Sequence, residues 1–438
     1  MLLVVGEIIV DFSRPTSNSE CKLRLGGITH AARGLWACDI PYVVAAVCPS
    51  YLVEEAKQYL RIHGCHSFIW LGEVTGSPNV MVISDVTEVS DQGYEDLLRE
   101  KKQVIFRDVE QLLLPYRRIL VFPGAYSVNK IRNFFSEKAK FSFDIAYDFD
   151  DFSLLEEFID RIDSIIISTS SDLFQKLGSC DVRPIVDEVK ALRAESFLLK
   201  ENRGGSRLFN LKADTIEAIP AVLSATENSV GVGDVYSAVM LGFQKQGWEA
   251  AAWRGSQAAT VYSQTTYPDD FKRDVKRALK LSVVELQQLG GTILPWHIRP
   301  DFQIYLAAPD FTYINKPEIE DAIKALAYHN FKVRRPVIEN GELPRGSDKF
   351  DLHVTYAADV NLLHECHVVF AVPLMRDPGT LVEMGMAMAL NKPVITFDPR
   401  KENTNTMVIA GSASYSSDLD ISLNALFMEI SNILAKRI

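Results

Sequence analysis

At 438 residues the chain is too long for one ordinary core, so two domains are expected. Its 47% hydrophobic and 24% charged residues describe an ordinary soluble globular protein. A formal charge of −11 argues against a nucleic-acid surface, which needs clustered Lys and Arg; Lys101-Lys102 and Arg117-Arg118 are isolated pairs on solvated faces.

In chain order, residues 1–10 are apolar but contain Gly6 and Glu7 and lack a basic start, so they read as a first strand rather than a signal peptide. The pattern predicts a strand over 2–12, a helix over 28–37, a strand over 42–47 and a helix over 52–63. Further strands are predicted over 119–122, 142–147 and 164–167, with helices over 154–161 and 185–192. This alternation argues for a mostly parallel sheet covered on both faces. No internal repeat or low-complexity segment interrupts it.

Gly231-Val232-Gly233-Asp234 opens a predicted helix over 235–246. Such glycines let backbone N–H groups approach a phosphoryl group, and the helix N-terminus adds positive potential. Asp234 could then take a proton from a hydroxyl attacking the phosphate. Taken alone the motif is weak, and Asp234 then reads better as an N-cap after a glycine turn. A long helix is predicted over 270–289, and 291–300 reads as a linker whose Trp296 and Ile298 pack on one domain.

Residues 368–372 read as a buried strand and 384–390 as a helix, with Pro378 and Gly379 turning the chain between them. Asp377 and Glu383 thus fall at the carboxyl end of a strand and in the first turn of a helix, where ligands bind in open α/β sheets. Thr380 and Glu383 equally fit a capping box. His364, Cys366 and His367 tempt a metal reading, but adjacent residues on a strand face opposite ways, so strand-edge packing is expected and no metal site. No apolar run approaches the length of a membrane span, and no membrane contact is expected. The six Cys lack a C-x-x-C spacing, which suits a reducing cytoplasm.

Asp377-Pro378-Gly379-Thr380-Leu381-Val382-Glu383-Met384-Gly385, followed by Ala387, Ala389 and Lys392-Pro393, resembles the signature of the nucleoside 2-deoxyribosyltransferase family. Tyr305-Leu306-Ala307-Ala308-Pro309 resembles that family's opening motif, with Ala308 where Gly is usual. Asp398-Pro399-Arg400 and Asn405-Thr406-Met407 resemble its tail; Cys366-His367 departs from its Ala-Asp pair. The resemblance covers 301–438 and implies a smaller Rossmann/flavodoxin-like α/β domain. It makes Glu383 the nucleophile and Asp377 its orienting partner, with Tyr305, Asp359, Gly379, Asn405 and Met407 binding substrate. It implies no cofactor for this domain, and a homo-oligomer in which Asn405 and Met407 enter a neighbour's site.

Gly6-Glu7-Ile8-Ile9-Val10-Asp11, Leu25-Gly26-Gly27, Lys200-Glu201-Asn202-Arg203-Gly204-Gly205 and Gly231-Val232-Gly233-Asp234 together resemble the PfkB (ribokinase-like) carbohydrate kinase family over 1–290. This implies a ribokinase-like, mostly parallel sheet domain with Asp234 as catalytic base. Asp11, Gly26 and Gly27 would bind sugar; Gly231, Gly233, Lys200, Gly204 and Gly205 would bind the nucleotide anion, with ATP and Mg²⁺ as cofactors. Three departures stand out. Val230 and Asn228 replace a Thr and an Asp, Ser168-Thr169-Ser170-Ser171-Asp172 replaces a metal-organising Asn-x-x-Glu, and Thr29-His30-Ala31 falls where an Asn is usual. Each removes a ligand or hydrogen-bonding group, so binding with slow or no phosphoryl transfer is expected. The function implied is N-glycosidic cleavage or deoxyribosyl transfer on small-molecule nucleosides or nucleotides. A nucleoside 5′-monophosphate N-hydrolase and a nucleotide-sensing protein are the alternatives.

Overall fold

The computed structural model describes residues 1–15, 20–98, 100–146, 149–344 and 346–437. The chain forms two compact units: Met1–Thr87 with Gln92–Val222 and Thr226–Ile293, and Leu294–Ile438 with Glu88–Asp91 and Leu223–Ala225.

The first unit is built on a ten-stranded sheet in the order Thr215–Ile219, Ser206–Asn210, Ser196–Lys200, Ile162–Ser168, Lys140–Ile145, Arg118–Val121, Leu2–Glu7, Tyr42–Cys48, Phe68–Thr75, Gln103–Phe106. Every pairing from Ser196–Lys200 through Phe68–Thr75 is parallel, and the flanking pairs are antiparallel. The central strands are continuous apolar runs, buried throughout Tyr42–Cys48, as parallel strands covered on both faces must be. A four-stranded sheet, Lys22–Leu25, Val10–Ser13, Val80–Ile83, Glu95–Asp96, stands beside it.

Several predicted elements differ in detail. The expected strand over 2–12 is two strands in two sheets, Leu2–Glu7 and Val10–Ser13, because the chain changes partners at Ile8 and Ile9. The Ile8 amide still bonds Val47 O at 3.0 Å, whereas the Val10 amide bonds Asn79 O at 3.0 Å. Residues 154–161 form a 3₁₀ helix, Ser153–Phe158, that closes before Asp160 at φ 67°. The helix over 270–289 is Pro268–Ala278 and Val283–Leu289, separated where Ser282 and Glu285 form a capping box. The strand expected over 142–147 is Lys140–Ile145, and Tyr147 lies outside the described residues.

The second unit has five parallel strands in the order Lys332–Arg334, Gln303–Ala307, Val368–Ala371, Val394–Phe397, Ser414–Ser416. In chain order this is 2-1-3-4-5, the flavodoxin-like order, with its switch point between Gln303–Ala307 and Val368–Ala371. Side chains alternate across the sheet. Ile304, Leu306, Val368 and Phe370 pack with Leu423, Leu426 and Phe427 of helix Leu419–Ala435. Tyr305, Ala307, Val369 and Ala371 pack with Met384 and Ala387 of helix Pro378–Ala389 on the other face. Trp296 is buried, and Ile298 packs against the core of this unit.

His364 is in the last turn of helix Lys349–Glu365, a correction to the strand-edge reading, and only His367 adjoins the strand, its Nδ1 accepting from the Gln303 amide at 3.1 Å. Among the described residues no helix is long and apolar enough to cross a membrane.

Candidate active site

Strand Val368–Ala371 leads into a tight turn in which Met375 (φ 56°) and Arg376 (φ 51°) are left-handed. The turn delivers Asp377 as N-cap of helix Pro378–Ala389, with Oδ2 accepting from Thr380 N at 2.8 Å and Thr380 Oγ1 at 2.9 Å. The alternative capping box between Thr380 and Glu383 is therefore absent. Pro378 and Gly379 are the first helical residues rather than a turn, because Pro's fixed φ suits that position. Glu383 consequently lies in the second turn, and its side chain points to the sheet. The Tyr305 hydroxyl donates to Glu383 Oε1 at 2.7 Å, joining the switch-point strand to the helix after its neighbour.

Asp359, on helix Lys349–Glu365, accepts from Asn340 Nδ2 at 2.7 Å, and burial raises its pKa against that bond. Burial, with the charges of Asp359 and Asp377, pushes Glu383 up to about 8, while the Tyr305 hydrogen bond opposes the rise. Burial and the adjoining Glu383 push the Tyr305 phenol up in turn. Tyr305, Asp359, Asp377 and Glu383 are thus brought together, with Gly379 beside Asp377 Oδ2. Asn405 caps helix Thr406–Gly411, accepting from Met407 N at 2.8 Å, and Met407 is 76% exposed. Among the described residues neither makes a hydrogen bond to the carboxylate cluster.

Two supporting residues escaped sequence reasoning as site residues. Asn340 holds Asp359. Asp398, fully buried after strand Val394–Phe397, accepts from Tyr415 Oη at 2.5 Å and from the Asn403 and Glu402 amides, pinning the segment that leads to Asn405. An Asp after an apolar strand was the available signal, since a buried carboxylate needs partners.

In the first unit, Gly231 adopts φ 80° at the N-terminus of helix Val232–Phe243, and Asp234 lies half-buried in its first turn. Burial and the nearby Asp144 push Asp234 up to about 7, with Lys200 opposing and Asp11 adding to the rise. Lys200 is engaged: its Nζ donates to Asp144 Oδ1 at 3.0 Å and Oδ2 at 2.9 Å. Ser237 Oγ donates to Asp144 Oδ2 at 2.6 Å. Asp144, missed in the sequence, is a buried acid in an otherwise apolar strand.

Gly204 ends the 3₁₀ turn Asn202–Gly204, and Gly205 sits against the backbone of Ile219. Gly27 likewise sits against the Glu7 carbonyl. Asp11 is buried on strand Val10–Ser13, bonded to His30 Nε2 at 2.9 Å. Burial raises its pKa, but the His30 bond and the Arg24 and Arg33 charges outweigh that and hold it below the ordinary value.

The glycine turn and helix N-terminus fit a phosphate-bearing cofactor such as ATP. The residues fit Mg²⁺ poorly. Asp144 is paired with Lys200, and in the Ser168 loop the Ser168 and Ser170 hydroxyls bond each other at 2.9 Å. Ser171 is used to cap helix Asp172–Leu177.

Residues 304–422 match the family model described as nucleoside 2-deoxyribosyltransferase, so this part of the second unit carries that domain. A search of curated proteins found no match. Among solved structures, the N-terminal region is similar to ribokinase-family kinases. Ribokinase from Giardia lamblia shows 12% identity and a TM-score of 0.46, over 64% of this chain and 98% of that one. Ribokinase from Arabidopsis thaliana, complexed with ribose and ATP, shows 14% and 0.44, over 64% and 99%. Fructokinase with bound ATP from Xylella fastidiosa shows 11% and 0.48, over 64% and 98%.

Proposed function

We propose, from a second unit that carries a nucleoside 2-deoxyribosyltransferase domain, that the chain cleaves the N-glycosidic bond of (2′-deoxy)nucleosides through Glu383. The observation that carries the reading is the half-buried Glu383 carboxyl, bonded to Tyr305 and faced by Asp359 and Asp377 at the sheet's switch point.

In its ionised form Glu383 attacks the anomeric carbon. A carbon–oxygen ester bond forms there as the carbon–nitrogen bond breaks, and the base leaves with the electron pair. The Tyr305 hydroxyl holds the attacking carboxylate. Asp359, whose pKa burial raises above the ordinary value, lines the base side and hydrogen-bonds to the departing base, which takes its proton from solvent. Asp377 orients the sugar hydroxyls. A second base, or water, then displaces Glu383 from the anomeric carbon. No cofactor enters these steps.

Asn405 and Met407 belong, in this reading, to the site of a neighbouring copy. The exposure of Met407, Phe350 and Tyr356, large apolar groups on the same unit, supports a homo-oligomer. An Asn at the 5′ end suits a free hydroxyl better than a phosphate, which favours nucleosides over their monophosphates. The first unit binds a nucleotide or other phosphate-bearing small molecule at Gly231–Gly233 with weak or no turnover. The Asp144–Lys200 pair and the hydroxyl loop at Ser168 support that second reading.

The test is incubation of the full chain with deoxynucleosides and their monophosphates, with and without acceptor base, read by chromatography. Base release or exchange is expected, lost by on the order of 10³-fold or more in Glu383→Gln. Full activity of that variant would sink the nucleophile assignment.

A further inference from the structure

Asp11 is 2% exposed, and both its oxygens are covered. Oδ2 lies 2.9 Å from His30 Nε2 and 3.4 Å from Arg24 Nε. The backbone of Gly26 covers the other oxygen, where even a Cβ would come within 1.9 Å of Oδ1.

His30 is equally enclosed. Its Nδ1 lies 2.8 Å from the Tyr262 hydroxyl and 3.2 Å from Arg33 Nη2. The roles close in one way: Arg33 can only donate, so Nδ1 accepts, and the Nε2 proton goes to Asp11. Burial, opposed by Asp11, depresses His30 to about 4, consistent with this neutral tautomer. The ring also stands against the phosphoryl turn, since a Cβ at Gly231 would fall 2.1 Å from His30 Cγ. One imidazole therefore spans the space between Asp11 and the Gly231 turn. A hydroxyl accepted by Asp11 and deprotonated by Asp234 would have to stand in that space.

We propose that His30 is the specificity-determining residue of the first unit, a built-in occupant that satisfies Asp11 and excludes neutral polyols. The unit then takes a phosphate-bearing ligand at its glycine turn with no hydroxyl acceptor beside it. The second half of this statement rests on the proposed phosphate-binding reading of the unit.

The full chain is titrated calorimetrically with ATP, pyrophosphate, ribose, 2-deoxyribose and myo-inositol. Wild type should bind no polyol tighter than about 1 mM. His30→Ala should gain at least a tenfold tighter polyol affinity, lost again when Asp11→Asn is added. Polyol binding by wild type that disappears in Asp11→Asn would overturn the proposal, as would failure of a folded His30→Ala to gain any. Should that variant not fold, nitrogen NMR of wild-type His30 decides: signals unmoved by the polyols uphold the exclusion, and signals shifted by them refute it. If neither ATP nor pyrophosphate binds, the phosphate reading falls, while polyol binding absent in wild type and gained in His30→Ala still upholds the role of His30.

Discussion

A carboxylate that attacks carbon must be ionised, and Glu383 sits where ionisation is opposed by burial and by Asp359 and Asp377. The rate of base release at low substrate should therefore rise with pH through a limb near 8. Tyr305→Phe removes the one bond that lowers this pKa, so the limb should move to higher pH. Activity near neutrality should then fall by roughly ten- to a hundredfold, as for a hydrogen bond to a charged group. Asp359→Asn removes a like charge and should move the limb the other way; pH–rate profiles of both variants check the signs. The same shift bears on folding. A carboxyl whose folded pKa is raised contributes stability that is complete below its unfolded value and lost as pH climbs from about 4.5 to 8. Glu383→Gln should thus gain Tm relative to wild type across that window. The sequence displayed both Glu383 and Tyr305 but not their bond, which spans 78 residues. Local spacing fits a capping box as well as a nucleophile there, and only the structure shows Asp377, one turn earlier, taking the cap.

Helix Pro378–Ala389 depends on Asp377 for its start, so Asp377→Ala should cost about 1 kcal/mol, read in denaturant unfolding. Asp377→Ser can still cap. If Asp377 also orients the sugar, the Ser variant should keep stability and lose turnover, and equal retention of both would confine Asp377 to capping. Element existence was legible wherever apolar periodicity was strong, as in Val368–Ala371 and Tyr42–Cys48. Element ends were not. The helix predicted over 270–289 divides at Ser282, where a local capping box outweighs a continuous helical pattern. Asp144, Lys200 and Ser237 come from three elements of the first unit, and no sequence spacing announces their cluster.

At the scale of the whole molecule, the exposed Met407 and the apolar residues of helix Lys349–Glu365 lead to a test of shared sites. Inactive Glu383→Ala and Asn405→Ala chains, mixed under conditions of proven subunit exchange, should recover part of the activity; no recovery would place each site within one chain. The glycine motif at Gly231 falls in the first unit and the acids Asp377 and Glu383 in the second. The sealing of Asp11 was not legible in the sequence, because His30, Tyr262 and Gly26 converge on it only through the fold. The opening segment of the first unit serves two sheets, with Ile8 and Ile9 as the joint between them. Backbone protons of residues 3–5, inside the large sheet, should exchange with solvent only when the unit unfolds globally. Those of Val10–Ser13, in the small sheet, can exchange by its separate detachment. A step in exchange rate at Ile8 would make that joint the hinge of an independently opening flap.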